Sequence, residues 1–310
     1  MDGGERLGGH RHVRRLPRIV TARAGTTSAV ALVVAGLACQ EVGASLAYLL
    51  FPQAGPLGMV MLRLVFSALV LHAIARPRLR GHARGDWLSV VWFGVVLAVM
   101  NGLFYLALER LTLGVTVTIE VLGPLVLSII ASRRASAWLW AALAFAGVLA
   151  LGGGGWERLD PLGVVFALGA AASWALYILA SARVGAAFPN LDGLALAMTA
   201  GALISLPFGL VDAGAALLRP ELLALGAAVA VLSSTIPYAL ELIALRRLPA
   251  SAFAILMSLA PATACLAGFV LLGQRLTALE LAGIALVIVA SIGAVRAAGR
   301  RAREAVEPVG

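Results

Sequence analysis

The sequence predicts an all-α integral membrane protein with ten transmembrane helices, arranged as two inverted five-helix repeats. Three observations predict it. Hydrophobic residues make up 61% of the chain and charged residues 13%, with a mean hydropathy of +0.98, so a soluble domain of this length would lack the polar residues to cover its surface. Apolar runs of about 18 to 24 residues, each able to cross ~30 Å of hydrocarbon, recur from Ser28 nearly to the C-terminus. Finally, a segment of the first half reappears in the second.

The first span, Ser28 to Leu50, follows a basic tail but is longer than a secretory h-region and lacks a clear small-x-small cleavage site, so it is read as a retained helix. The second, Gly58 to Ala75, and the third, Trp87 to Leu108, are separated by an arginine-rich break. The fourth, Leu113 to Ala131, and the fifth, Ala137 to Leu151, are parted only by a Ser132-Arg133-Arg134 turn, and merging them would give a run too long for one crossing. The second half repeats the plan: Leu162 to Arg183, Leu194 to Val211, Leu222 to Leu245, Ala250 to Leu272 and Ala278 to Val295. The organisation is therefore a basic, disordered cytoplasmic tail over 1–27, one repeat over 28–153, a second over 154–296, and a basic cytoplasmic tail over 297–310.

The repeat shows as Leu106-Ala-Leu-Glu-Arg-Leu111 set against Ile243-Ala-Leu-Arg-Arg-Leu248; continued without a gap, Pro124 falls on Pro261 and Gly123 on Ala260. Five spans per half is an odd number, so the second half enters the membrane upside down. The arginines agree. With both termini cytoplasmic, the inner segments hold nineteen arginines and the outer ones four (Arg110, Arg158, Arg219 and Arg275), as the positive-inside rule requires. The net charge of +9 thus reports membrane topology and not a nucleic-acid partner. Inverted repeats rock around a midplane site, which favours a secondary transporter. No phosphate-binding loop and no lysine is present, which argues against ATP-driven pumping by this chain alone.

Charges inside spans cost about 2.5 to 3.5 kcal/mol each on insertion scales and mark candidate sites: Glu41, Arg63, Glu120 and Glu241. For each, a structural ion pair between helices is the plain alternative. Glu120 has Thr116 and Pro124 one turn to either side, and Pro124 leaves the Glu120 carbonyl without its helical donor. Pro261 does the same for Met257, a position with no acid. In the eighth span Ser234, Tyr238 and Glu241 recur beside Pro237, which bends the helix; the first offers Gln40, Glu41 and Ser45. Asn101 and Tyr105 in the third, and Ser173, Trp174 and Tyr177 in the sixth, complete five polar faces around a wet cavity, with packing or interfacial anchoring as the alternative for the aromatics. Arg63 either offers its planar fork to a substrate carboxylate or neutralises a glutamate. Cys39 and Cys265 read as small packing residues; no metal site or cofactor is expected, and His10 and His12 lie in the tail. An integral-membrane enzyme would need clustered His, Asp or Cys, whereas the only histidine near a span is His72; a channel is the remaining alternative.

Seven segments carry a resemblance: Gly43-Ala-Ser-Leu-Ala47 with Leu50-Phe-Pro52, Leu62-Arg-Leu64, Asn101 with Leu103-Phe-Tyr-Leu106, Glu120 with Gly123-Pro124, Ser132-Arg-Arg134, Trp174 with Tyr177-Ile-Leu179, and Pro237-Tyr238 followed by Leu240-Glu241 and Ile243-Ala-Leu245. They resemble the drug/metabolite transporter superfamily, specifically its EamA-type ten-helix members and, among these, the bacterial threonine/homoserine exporters. The resemblance implies efflux of small amino acids in exchange for protons, by a monomer or homodimer. The chain departs from those exporters in having Ala260 where an acid commonly precedes the ninth-span proline, and Gly273-Gln274 where they carry Gly-Glu. An exporter of drug-like metabolites is the alternative within the superfamily.

Overall fold

The computed structural model describes residues 19–132, 135–151, 159–245 and 250–304. The Arg133-Arg134 turn, the boundary between the proposed repeats near 153, the Arg246-Arg247 joint, Arg158, residues 1–18 of the first tail and residues 305–310 of the last lie outside them. Among the described residues the secondary structure is helical, with no strand.

Among the described residues ten spans follow from the helices and their lengths. Seven runs are long and apolar enough to cross a membrane, and the first of these, Ser28–Ala75, has 48 residues. At 1.5 Å per residue that is about 72 Å, more than twice the hydrocarbon thickness, so it holds two crossings. They meet at Gly55, whose φ of 68° and ψ of 163° only glycine adopts readily, between Pro52 and Pro56. Two shorter apolar helices, Leu113–Leu127 and Trp138–Leu151, supply the fourth and fifth spans. Helix α1 (Ile19–Ala75) thus contains spans one and two, beginning upstream of the Ser28 boundary read from hydropathy, and α2 (Arg84–Leu108) is span three. Span four is α3 (Leu113–Glu120) plus α4 (Leu122–Ser132); spans five, six and seven are α5 (Ala135–Leu151), α6 (Pro161–Ala187) and α7 (Asp192–Ala213). Span eight is α8 (Pro220–Ala230), a π turn (Val231–Thr235) and α9 (Ile236–Leu245). Span nine is α10 (Ala250–Met257) plus α11 (Ala260–Leu272), and span ten is α12 (Ala278–Glu304), which continues past the hydropathic end at Val295.

The interruptions fall one turn before the prolines. A proline ring has no N–H for the carbonyl four residues back and crowds it, so the helix opens there. Span four breaks at Val121 before Pro124, span nine at Ser258 and Leu259 before Pro261, and span eight widens into its π turn before Pro237.

Part of the helix packing recurs when the two halves are exchanged. Spans two and seven, four and nine, and five and ten pack on each other; span one packs on eight as three packs on six, and span nine on one as four on six. Exchanging the halves leaves this set unchanged. Close approach relies on small residues, as usual between membrane helices. A Cβ on Gly147 would lie 2.7 Å from the Gly283 carbonyl oxygen, and one on Gly283 2.6 Å from that of Gly147.

Carboxylates staple the helix ends. Asp212 at the end of span seven accepts from the backbone N–H groups of Leu57 (2.8 Å) and Gly58 (3.2 Å) at the start of span two. At the opposite end of the same pair, Asp192 accepts from the Arg78 N–H at 3.2 Å. Asp160 caps α6 through Leu162 and Gly163 and pairs with Arg110 at 3.0 Å. The Gly163 N–H, then the Arg110 guanidinium, hold its exposed carboxyl below the usual carboxylate range. A lowered folded-state pKa adds stability that is complete above the unfolded value, about 3.9 for aspartate, and is lost as pH falls through the lowered one. The melting-temperature gap between wild type and Asp160→Ala in detergent should therefore stay level from pH 7 to about 4 and close below that.

Candidate substrate site

A cavity of about 580 Å³ opens among the broken helices, within the size range of small-molecule sites. Its polar lining comprises Gln40 and Glu41 of span one, Arg63 of span two, Asn101 of span three, Glu120 of span four, Trp174 and Tyr177 of span six, and Tyr238 and Glu241 of span eight. Apolar walls come from Phe104, Leu125, Leu127, Phe253, Met257, Ala294 and Val295. All four intramembrane charges singled out in the sequence therefore reach one space. Three are carboxylic acids and one is a guanidinium.

Glu41 is 1% exposed, and neither of its carboxylate oxygens has a hydrogen-bond partner among the described residues. Ser45, one turn on, donates to the Glu41 backbone carbonyl at 2.8 Å and leaves the carboxylate alone. A buried charge without a partner is costly, so this side chain requires a proton or a cationic ligand. Glu120 sits at the break of span four, where Pro124 offers no N–H to its carbonyl, and its neighbouring charge is Arg63.

Among the described residues Arg63 pairs with no carboxylate. Its Nε donates to Ser234 Oγ at 3.0 Å and its Nη2 to the Ser233 carbonyl at 3.0 Å; Nη1 lies 3.4 Å from the Tyr105 hydroxyl. All three acceptors are neutral. Tyr105 is fully buried behind the guanidinium, against Phe51 at 5.4 Å, and does not line the cavity itself. Tyr177 of span six and Tyr238 of span eight both line the cavity.

The remaining expected positions divide between the lining and the packing around it. Thr116 is buried and donates to the Thr112 carbonyl at 2.9 Å; Val117 takes its place in the lining, so the cavity face of span four runs through 117, 120, 121 and 124. Asn101 lines the cavity with its amide nitrogen committed to the Leu97 carbonyl at 2.8 Å. Ser173 likewise bonds back to Gly169. Pro237 and Pro261 shape their helices without lining the cavity, whereas Pro124 lines it. Spans nine and ten contribute Phe253, Ser258 and Ser291, which carry no charge and left no signal in the sequence. Gln274, noted for its difference from the resembled exporters, accepts from the Leu113 N–H at 2.9 Å and so caps span four from the end of span nine. Among the described residues no group of three or more His, Cys, Asp or Glu is placed to hold a metal ion.

Comparison with known proteins places this architecture. Residues 161–296 match the model of the EamA-like transporter family. The chain is 39% identical over 266 residues to the threonine/homoserine exporter RhtA of Escherichia coli (strain K12), covering 85% of this chain and 90% of that protein. The chain belongs to the EamA-like transporter family. It is also 41% identical over 253 residues to the threonine/homoserine exporter RhtA of Salmonella typhimurium (strain LT2), covering 81% of this chain and 85% of that one. A solved crystal structure shares the fold at 19% identity with a TM-score of 0.57, covering 91% of this chain and 99% of its own. As an EamA-family member this chain is a multi-pass membrane protein of the drug/metabolite transporter superfamily.

Proposed function

We propose that this protein exports small neutral amino acids of the threonine/homoserine kind across the bacterial inner membrane by alternating access, in exchange for protons. The observation that carries the reading is the charge imbalance of the cavity: three carboxylic acids face it against one cation, Arg63. With all three acids ionised, two formal negative charges stand uncompensated in a low-dielectric space, where protons, an ammonium group or both must offset them. The presence of an unpaired guanidinium in the same cavity adds the second half of a zwitterion's needs. Glu120, at the helix break, engages the substrate ammonium or the exchanged proton; Glu41 and Glu241 assist; Arg63 takes the carboxylate. The names of the curated relatives point to the same substrates.

The arginine distribution supports a cytoplasmic location for both termini. The packing symmetry between the halves supports a rocking motion of the 28–153 and 154–296 repeats about the cavity. A second reading, export of a larger apolar or cationic metabolite, draws on the walls of Phe253, Met257, Leu125 and Leu127. Counterflow of labelled threonine in proteoliposomes separates the two. Unlabelled threonine and homoserine should compete, and lipophilic cations should not; the reverse pattern would transfer the assignment to the second reading.

A further inference from the structure

Pro237 has no N–H, so the carbonyl of Ser233, four residues earlier, loses its helical donor. The helix accommodates the loss as the π turn Val231–Thr235, in which the Ile236 N–H reaches back five residues to the Val231 carbonyl. A freed carbonyl inside a membrane requires another partner. Arg63, 170 residues away in sequence, supplies it through Nη2 at 3.0 Å, while its Nε takes the Ser234 hydroxyl at 3.0 Å. Gly43 lets span one lie against the same turn: a Cβ there would come within 2.7 Å of the Ser233 side chain.

This arrangement uses one face of the guanidinium and leaves the charge unspent. Of its five N–H groups, one on Nε and one on Nη2 go to the π turn, and one on Nη1 points to Tyr105 at 3.4 Å. One N–H remains on each terminal nitrogen, the number a carboxylate accepts in a bidentate fork. A long arginine side chain ordinarily samples many rotamers, and immobilising it in advance spares the ligand that cost.

We propose that Ser234, together with the Ser233 carbonyl released by Pro237, positions Arg63 to receive the substrate's carboxylate. Ser234 is thus a positioning residue, acting through Arg63, and the proline is retained as much for the carbonyl it frees as for the bend it makes. The inference rests on the assignment of the carboxylate to Arg63 under Proposed function.

The test compares labelled threonine with threonine amide, which keeps the ammonium and lacks the carboxylate, as competitors in proteoliposome counterflow. In Ser234→Ala the KM for threonine should rise about tenfold, as losing a hydrogen bond to a charged group implies, with kcat within about twofold. Inhibition by the amide should be unchanged. Ser234→Thr, which keeps the hydroxyl, should restore the KM, and Pro237→Ala, which returns a donor to the Ser233 carbonyl, should shift it in the same direction as Ser234→Ala. Equal weakening of threonine and the amide, or a change in kcat alone, would overturn the positioning role. Arg63→Gln separates that failure from failure of the underlying assignment: if it too leaves the preference for threonine over its amide intact, the carboxylate does not bind at Arg63 and both claims fall. If Arg63→Gln abolishes the preference while Ser234→Ala preserves it, only the positioning claim falls.

Discussion

Glu120→Gln should lower saturable amino-acid transport by about a hundredfold while leaving the amount of folded protein unchanged. Glutamine matches glutamate in size and keeps a hydrogen-bonding carbonyl, but it neither attracts an ammonium group nor carries a proton. Removing one partner of a buried charge pair, here the proposed pair with the substrate ammonium, costs about 2 to 5 kcal/mol, and about 2.8 kcal/mol corresponds to two orders of magnitude. The position magnifies the effect, because Glu120 closes α3 at the break of span four and lines the cavity. Proteoliposome counterflow measures it, and the pH dependence of the residual flux is part of the expectation: a variant that moves threonine with wild-type rate and pH profile would remove Glu120 from the mechanism.

Gly123→Val should be equally damaging for a different reason. A Cβ at Gly123 would collide with the backbone carbonyl oxygen of Ala171, which cannot move aside without displacing span six. Overpacking costs typically 1–3 kcal/mol and more against rigid backbone. The loss should appear as reduced monodisperse yield and a lower melting temperature in detergent, with Gly123→Ala affected less in the same direction. The contact also explains why a glycine stands beside Pro124. It brings the broken fourth span against span six, so that Glu120 and Trp174 line one cavity.

Much of this architecture was legible in the sequence, for reasons that particular residues make plain. Hydropathy gives ten spans because lipid leaves a helix few options, and the charges at Glu41, Arg63, Glu120 and Glu241 announce a shared cavity because none is cheap to place alone. The prolines announce the interruptions, since a missing N–H is a local property. The partner of Arg63 was hidden. Its contacts are the Ser234 hydroxyl and the Ser233 carbonyl of a π turn, 170 residues from Arg63 in the case of that carbonyl. Thr116 misled because an ideal 3.6-residue period places it with Glu120, whereas its hydroxyl satisfies itself on Thr112 and Val117 lines the cavity. Tyr105 was found as a polar aromatic but sits behind Arg63. Ser291, Ala294 and Val295 of span ten resemble many packing residues, and only the assembled bundle shows them facing the site.

The Asp212 and Asp192 staples tie span seven to segments at either end of span two, whereas Gln274 ties span nine to the start of span four. Among the described residues, polar side chains thus fasten spans two and seven at both ends, and spans four and nine at one end, where Gly114 also packs on Cys265. Exchange of protons for a zwitterion at the cavity is the core of the proposed mechanism. The measurement that addresses it most directly is efflux of labelled threonine from proteoliposomes of known orientation, with and without an imposed pH gradient. An inward proton gradient should drive threonine outward against its own concentration, in a saturable manner inhibited by homoserine. Flux that ignores the gradient, or that fails to saturate, would contradict proton-coupled exchange at this site.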